Sequence, residues 1–135
     1  CSENQAMARA CYEAALSVDP DLIIFILAAT AQQKAVEALK CRWAGEIFAD
    51  RAYNDDATLV DRAREGAVIH APAHAASRIV KMVQAGAIIA ESGAHIPARI
   101  DTICLHGDNA AALQIARTVR AGLETAGIRL APVGT

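Results

Sequence analysis

The feature of this sequence that most limits its fold is the alternation of short apolar runs with stretches of helical periodicity. Leu22 to Leu27 is a continuous apolar run of strand length, as found in strands buried on both faces of a parallel sheet. Before it, four residues recur at the spacing of one helix face: Ala8, Cys11, Tyr12 and Ala15. Asp19-Pro20 ends that helix, because proline disfavours helical conformation in the preceding residue. The alternation predicts an α/β fold with right-handed crossovers.

The same alternation continues to the end of the chain. Thr30 is a predicted N-cap for a helix that ends near Lys40. Ser92-Gly93 predicts the turn of a hairpin. The predicted strands are 46–50, 67–70, 87–90, 94–98, 102–106 and 128–130. One later helix places Ala76, Ile79, Val80 and Val83 on one face and stops near Gly86. The last helix places Ala112, Ile115, Ala116, Val119 and Leu123 on one face, is capped by Asp108 or Asn109, and stops at Gly127.

Composition limits the size and the class of the protein. The 135 residues are 54% hydrophobic and 21% charged, and 32 of them are alanine, which favours tightly packed helices against a sheet. We interpret residues 1–135 as one α/β unit. The net charge of −2, with no basic run, argues against nucleic acid as a partner. The longest apolar run is too short to cross a membrane, for which about 20 residues are needed.

The four cysteines give an expectation about the compartment. Cys1, Cys11, Cys41 and Cys104 form no C-x-x-C pair. This pattern favours buried, reduced thiols in the cytoplasm. The sequence also shows no signal peptide pattern, and its start at Cys1 suggests a fragment or a trimmed chain.

A first polar cluster lies at the end of the predicted strand 46–50. Glu46, Phe48 and Asp50 share one strand face, and paired carboxylates there can polarise water or hold a cation. Arg51 next to them can clamp an anion with two hydrogen bonds. The alternative is an Asp–Arg pair that only holds a loop in place, and the sequence does not decide between them.

A second polar cluster lies at the end of the predicted strand 102–106. His106 ends that strand, Gly107 allows close backbone approach, and a helix is predicted to begin just after Asp108. His106 and Asp108 are therefore a candidate acid–base pair. Asp108 as a simple helix cap is an equally good interpretation. Cys104 is predicted to pack rather than to act as a nucleophile, since nothing adjacent in sequence lowers its pKa.

Other polar residues carry weaker signals. Arg62 and Arg64 share a face if their segment is extended, and two guanidinium groups suit a phosphate or a carboxylate, although solvated arginines are as common. His70 and His74 have a spacing that zinc sites use, but Pro72 between them disfavours one helix face. His95 is expected to face solvent. The sequence has none of the standard phosphate-binding loops.

Taken in order, these segments resemble the LamB/YcsF family. The resemblance is carried by Glu46-Ile-Phe-Ala-Asp-Arg-Ala-Tyr53, by Arg62-x-Arg64-x-Gly-Ala-Val-Ile-His70, and by Asp101-Thr-Ile-Cys-Leu-His-Gly-Asp108. It runs from about Ala8 to Pro132. It implies the C-terminal part of an irregular (β/α) barrel similar to that of polysaccharide deacetylases.

The resemblance also implies an activity: ATP-dependent hydrolysis of the lactam of 5-oxoproline to L-glutamate, in the A subunit of a 5-oxoprolinase that works with B and C subunits. ATP is then required, and a divalent metal is a further expectation. The candidate catalytic residues are Asp50, His106 and Asp108. The candidate substrate- or phosphate-binding residues are Glu46, Arg51, Tyr53, Arg62 and Arg64.

Two departures from the family pattern affect the interpretation. The family usually has glycine at the position of Ala57, and proline at the positions of Asp61 and Glu65, which puts the local loop conformation in doubt. Its N-terminal motifs are absent from this chain. A complete barrel of this kind needs about 250 residues. We therefore expect the chain to be the C-terminal half, to be inactive by itself, and to associate with the N-terminal half or with a second copy.

Two rival functions stay open at this point. One is a metal-dependent hydrolase of the deacetylase type, acting on a carbohydrate or an amide on the same fold. The other is a non-catalytic module that docks partner subunits. The polar clusters at strand ends disfavour the second, since docking surfaces depend on apolar hot spots.

Overall fold

The structure is a computed structural model that describes residues 1–108 and 110–134. Its helices are α1 (Gln5–Val18), α2 (Ala31–Leu39), α3 (Pro72–Ala85) and α4 (Ala112–Thr125). Its strands are β1 (Ile24–Leu27), β2 (Trp43–Phe48), β3 (Ala87–Ile89), β4 (His95–Pro97) and β5 (Thr102–Cys104).

A parallel sheet in the order β1-β2-β5 organises the molecule. β1 pairs with β2 from Ile24↔Trp43 to Leu27↔Glu46, and α2 makes the crossover between them. β2 pairs with β5 from Glu46↔Thr102 to Phe48↔Cys104. Because all three strands are parallel, their carboxyl ends lie at one edge of the sheet. The predicted α/β class is confirmed.

The predicted hairpin is also present, as a separate two-stranded sheet. β3 and β4 pair antiparallel, with Ile88 opposite Ile96. Ala90 closes the turn: its N–H donates to the Ala94 carbonyl, and its carbonyl accepts from the Gly93 N–H. Gly93 has a φ of +88°. The hairpin lies in the long connection between β2 and β5 and leaves the parallel order of the main sheet intact.

The main core lies between the sheet and the helices α3 and α4. From α4 it receives Ile115, Val119 and Leu123, as the periodicity predicts. The fully covered face of α3 is Ala75, Ala76, Ile79 and Met82. Val80 and Val83, predicted on that face, are only partly buried, so the helix is rotated slightly from the expected orientation. β1 and α2 contribute a second cluster around Ile24, Ile26 and Val36.

Two predicted strands are absent, and β2 occupies a different range from the predicted 46–50. Residues 67–70 are not a strand: Val68 makes one isolated bridge to Arg51, and Pro72 starts α3 immediately afterwards. Residues 128–130 are not a strand either, because the Ile128 N–H closes the end of α4 by donating to the Leu123 carbonyl. β2 starts earlier than predicted and ends at Phe48, after which the Asp50 carbonyl accepts from Ile69.

The helix ends confirm one predicted cap and correct another. The Thr30 side chain accepts a hydrogen bond from the Gln32 N–H, as expected of an N-cap. The predicted cap at Asp108 is wrong, since α4 begins at Ala112 with Ala111 at the N-cap position and without a side-chain cap. Asn109, the alternative, lies outside the described residues. Gly86 ends α3 in the left-handed conformation.

All four cysteines are free thiols, and two of them correct the expectation of burial. Cys1 and Cys11 are exposed, because Cys11 lies on the outer side of α1. Cys41 and Cys104 are half-buried. None of the helices in the described part of the chain is long and apolar enough to cross a membrane.

Candidate functional site

The ends of β2 and β5 bring together two residues that are 56 positions apart in sequence. Asp50 follows β2 by two residues, and His106 follows β5 by two residues. Parallel pairing of the two strands places both side chains at the carboxyl edge of the sheet. This is the edge at which α/β proteins bind ligands.

Asp50 and His106 form a close hydrogen-bonded pair. Both carboxylate oxygens of Asp50 lie 2.8 Å from His106 Nδ1. The Asp50 side chain is 5% exposed, whereas that of His106 is 26% exposed. A buried carboxylate accepts a hydrogen bond from Nδ1–H and so directs the lone pair of a neutral imidazole to Nε2. The geometry is that of an oriented general base.

Phe48 and Cys104 complete the surroundings of this pair. The Phe48 ring stacks on the His106 ring, with centroids 5.3 Å apart and planes 19° from parallel. Burial, with Glu46 and Asp50 nearby, raises the pKa of the Cys104 thiol. A protonated thiol is a poor nucleophile, so packing is the better role for Cys104, in agreement with the sequence.

Glu46 lies in β2 two residues before Phe48, and Asp50 follows just past the end of that strand. It is half-buried, and burial raises the pKa of its carboxyl group, an effect that nearby His106 partly offsets. In the described part of the chain, no hydrogen bond or ion pair of the Glu46 carboxylate is found. The predicted strand face therefore includes Glu46 and Phe48, whereas Asp50 lies past the end of β2.

The partner of His106 differs from the one that the sequence favoured. Asp50 supplies the carboxylate on Nδ1, whereas Asp108 is exposed beyond the end of β5. Sequence proximity suggested Asp108, but the register of two distant strands decides the contact. The signal that could have found the pair was the parallel order of β2 and β5.

Arg51 points away from this pair. Its guanidinium is buried, and Nη2 donates to the Val60 carbonyl at 2.7 Å. Its Nε is buried and has no hydrogen-bond partner among the described residues. Burial and the neighbouring Arg62 lower the pKa of Arg51. In this conformation Arg51 is tied to the 54–66 loop through a backbone carbonyl, and not through the Asp–Arg pair of the structural alternative, because Asp50 is paired with His106.

Tyr53 is a core residue that fixes the end of β2. It is fully buried, and its Oη accepts a hydrogen bond from the Phe48 N–H at 2.7 Å. Burial raises the pKa of the Tyr53 phenol. Phe48 in turn stacks on His106, so Tyr53 supports the site without being exposed at it.

Arg78 on α3 is a residue that the sequence analysis missed. Its Nη1 donates to the Ala49 carbonyl at 3.5 Å, beside Asp50. Burial lowers the pKa of this guanidinium, and Tyr53 is its electrostatic neighbour. The available signal was its position: Arg78 falls between Ala75 and Met82 on the apolar face of α3, where a charged residue is unexpected.

Arg62 and Arg64 do not share an extended face. The Arg64 N–H donates to the Asp61 carbonyl, so the segment turns at this point. Arg64 forms an ion pair with Glu91 at 3.4 Å, while Arg62 is exposed near Arg51. Arg62 and Arg64 therefore do not form the paired phosphate site that the sequence suggested.

The histidines with zinc-like spacing are separated by the start of α3. His70 precedes the helix and His74 lies in its first turn, and both are exposed. Among the described residues, no group of three or more potential metal-ligating side chains is found. His95 is exposed in the hairpin, as expected.

The fold and the site define a class of protein: an α/β chain whose parallel strands carry an Asp–His pair at their carboxyl ends. Comparison with known proteins agrees with the resemblance of the sequence. The LamB/YcsF family model matches residues 1–135, and the chain belongs to this family.

Curated relatives and a solved structure extend this result. The A subunit of 5-oxoprolinase from Ruegeria pomeroyi is 65% identical over 128 residues, covering 95% of this chain and 51% of the relative. That of Rhodopseudomonas palustris is 49% identical over 130 residues, covering 96% and 51%. The lactam utilization protein of Thermus thermophilus aligns with a TM-score of 0.82 and 32% identity, covering 96% of this chain and 51% of that one. This neighbour has a barrel-type fold, and the chain spans about half the length of these relatives.

Proposed function

We propose that this chain is the C-terminal half of the catalytic barrel in the A subunit of a 5-oxoprolinase, and that His106 is its general base. The observation that carries the proposal is the Asp50–His106 pair, with both carboxylate oxygens 2.8 Å from Nδ1. The relatives at 65% and 49% identity are named as A subunits of 5-oxoprolinase. The substrate is then 5-oxoproline and the product L-glutamate.

The proposed mechanism uses the two residues in distinct roles. Asp50 is the positioning residue, because its buried carboxylate holds the proton on Nδ1 and fixes the ring plane. His106 then accepts a proton from water at Nε2 as that water attacks the lactam carbonyl. Stacking on Phe48 limits rotation of the imidazole during this transfer.

ATP is proposed as a co-substrate, with the phosphates held by the complete assembly. Of the arginines predicted to bind phosphate, Arg51 donates to the Val60 carbonyl and Arg64 is paired with Glu91. The described residues do not fit a divalent metal either. Both carboxylate oxygens of Asp50 face His106, and no group of three or more potential metal ligands is found among these residues. In the complete assembly, hydrolysis of ATP would be coupled to the opening of the lactam ring.

The name of the relatives implies further subunits. We propose the B and C subunits as partners in a cytoplasmic complex, and the N-terminal half of the barrel as the cover of the sheet edges at β1 and β5. Such edges are prone to aggregation when exposed, so the isolated chain is expected to be inactive. The deacetylase alternative gains no support from this chain, because no metal-ligating cluster forms in its described residues.

The test compares His106→Asn with His95→Asn in the full-length protein, assayed with the B and C subunits. Glutamate formation from 5-oxoproline and ATP is measured together with the melting temperature. His106→Asn should lower turnover by about 10²–10⁴-fold at an unchanged melting temperature. His95 is exposed in the hairpin, so its variant should keep full activity. Full activity of His106→Asn would contradict the proposal.

A further inference from the structure

Hydrolysis of a lactam requires a proton donor as well as a general base. Opening a lactam breaks a C–N bond, and the nitrogen must receive a proton as it leaves, because an amide anion is too basic to depart. His106 is the acceptor of the proton from water, so a second group must act as the donor. The carboxyl group of Glu46, near His106, is a candidate for this donor.

Glu46 lies two residues before Phe48 in β2, and Asp50 follows two residues after Phe48, just past the end of the strand. Same-face neighbours such as Glu46 and Phe48 are about 6.6 Å apart along a strand. The His106 ring stacks on Phe48, the residue midway in sequence between the two carboxyl groups. Its Nδ1 faces Asp50, and His106 also interacts electrostatically with Glu46.

The two carboxyl groups have opposite surroundings. Asp50 is buried and committed to His106 through both oxygens. Glu46 is only half-buried, and no hydrogen bond or ion pair of its carboxyl group is found in the described ranges 1–108 and 110–134. A carboxyl group with these surroundings is available to a substrate. Burial, which raises the pKa of Glu46 and favours its protonated form, is consistent with donation.

We propose that Glu46 is the general acid that protonates the lactam nitrogen, an inference that rests on the proposed 5-oxoprolinase function. Water adds to the carbonyl carbon while His106 takes one of its protons. The C–N bond of the tetrahedral intermediate then breaks, and the nitrogen receives the proton of Glu46. Glu46 regains a proton from the imidazolium of His106, and the new carboxyl group loses its proton to the amine. The products are a carboxylate and an ammonium group.

The experiment compares two substrates in the full-length protein with its partners: 5-oxoproline, and its ring-oxygen analogue, the γ-lactone of 2-hydroxyglutarate. An alkoxide leaves with far less help from an acid than an amide anion does. Glu46→Gln should therefore lower turnover of 5-oxoproline by about 10²–10³-fold but that of the lactone by less than about 10-fold. Glu37→Gln, a change at an exposed residue of α2, should leave both rates unchanged. Equal losses on both substrates would overturn the proposal.

The pH profile of kcat on 5-oxoproline is a second, independent test of the role of Glu46. It applies even if the enzyme does not open the lactone. Turnover of the wild type should fall at high pH as Glu46 loses its proton, and Glu46→Gln should lack that limb. The titratable groups that interact electrostatically with Glu46 are His106, Cys104 and Tyr53, and all are kept in the variant. An unchanged descending limb would refute the role of Glu46. Absence of wild-type activity on 5-oxoproline would instead refute the proposed function itself.

Discussion

The two ends of the β2–β5 pair differ in what their acidic side chains contact. At the amino end, Trp43, Gly45, Arg99 and Asp101 form what we call the latch. Asp101 Oδ2 accepts from the Gly45 N–H at 2.8 Å and from Arg99 Nε at 2.8 Å. The Arg99 guanidinium lies 4.4 Å from the centroid of the Trp43 ring. Each of these polar groups is satisfied inside the chain.

At the carboxyl end, the acidic residues surround a histidine ring instead of a backbone N–H. Asp50 is buried and fixes His106, which is 26% exposed, and Glu46 is half-buried. The same pair of strands therefore carries a carboxylate on a backbone N–H and an arginine at one end, and a carboxylate on a histidine at the other. The difference lies in what each carboxylate contacts, and changes at the two ends should have separable effects.

The largest effect is expected at the carboxyl end, from Asp50→Asn. The amide can donate to Nδ1 and so place the imidazole proton on Nε2, the wrong tautomer for a general base. Turnover of the complete enzyme should fall by about 10²–10⁴-fold, with a small change in melting temperature. Asp21→Asn, at an exposed position, is the control. Turnover within about threefold of the wild type would remove Asp50 from the site.

The next largest effect is expected at the latch, from Gly45→Ala. A Cβ at this position would lie 2.1 Å from the Arg99 carbonyl oxygen, which belongs to the backbone and cannot move without breaking the β2–β5 pairing. We expect the free energy of unfolding to fall by about 3 kcal/mol, measured by denaturant titration. Gly107→Ala is the matched control, because nothing lies within 4 Å of a Cβ there. Equal stability of the two variants would show that the close approach is not constraining.

The sequence predicts what local patterns determine. The helices and the hairpin follow from periodicity, and the structure confirms them. The pairing of His106 with Asp50 does not follow, because it depends on the register of strands that are far apart in the chain. The predicted strand at residues 67–70 is wrong, because a short apolar run can also form a buried loop that an isolated β-bridge holds in place.

A smaller effect is expected at the other half of the latch, Asp101. Replacement by alanine removes the acceptor of the Gly45 N–H together with the Arg99 ion pair, and should cost about 1–3 kcal/mol of unfolding free energy. Asparagine keeps the acceptor and loses only a partly exposed ion pair, so its cost should be below about 1 kcal/mol. Turnover corrected for the folded fraction should stay unchanged in both. Equal destabilisation by the two changes would show that the ion pair, not the backbone hydrogen bond, matters.

The smallest effect is a change in how stability depends on pH, from Glu46→Gln. Burial raises the pKa of Glu46 in the folded state, so folding favours its protonated form. That contribution is fully present below the unfolded pKa of about 4.3 and is lost as the pH rises through the folded pKa. Glutamine cannot ionise, so the stability of the variant relative to the wild type should increase from about pH 4 upward and level off once Glu46 is charged. Urea titrations at several pH values measure this difference. A difference that is constant with pH would mean that the Glu46 carboxylate is as well solvated in the folded protein as in the unfolded chain, and the contrast between the two ends of the sheet would then rest on Asp50 and His106 alone.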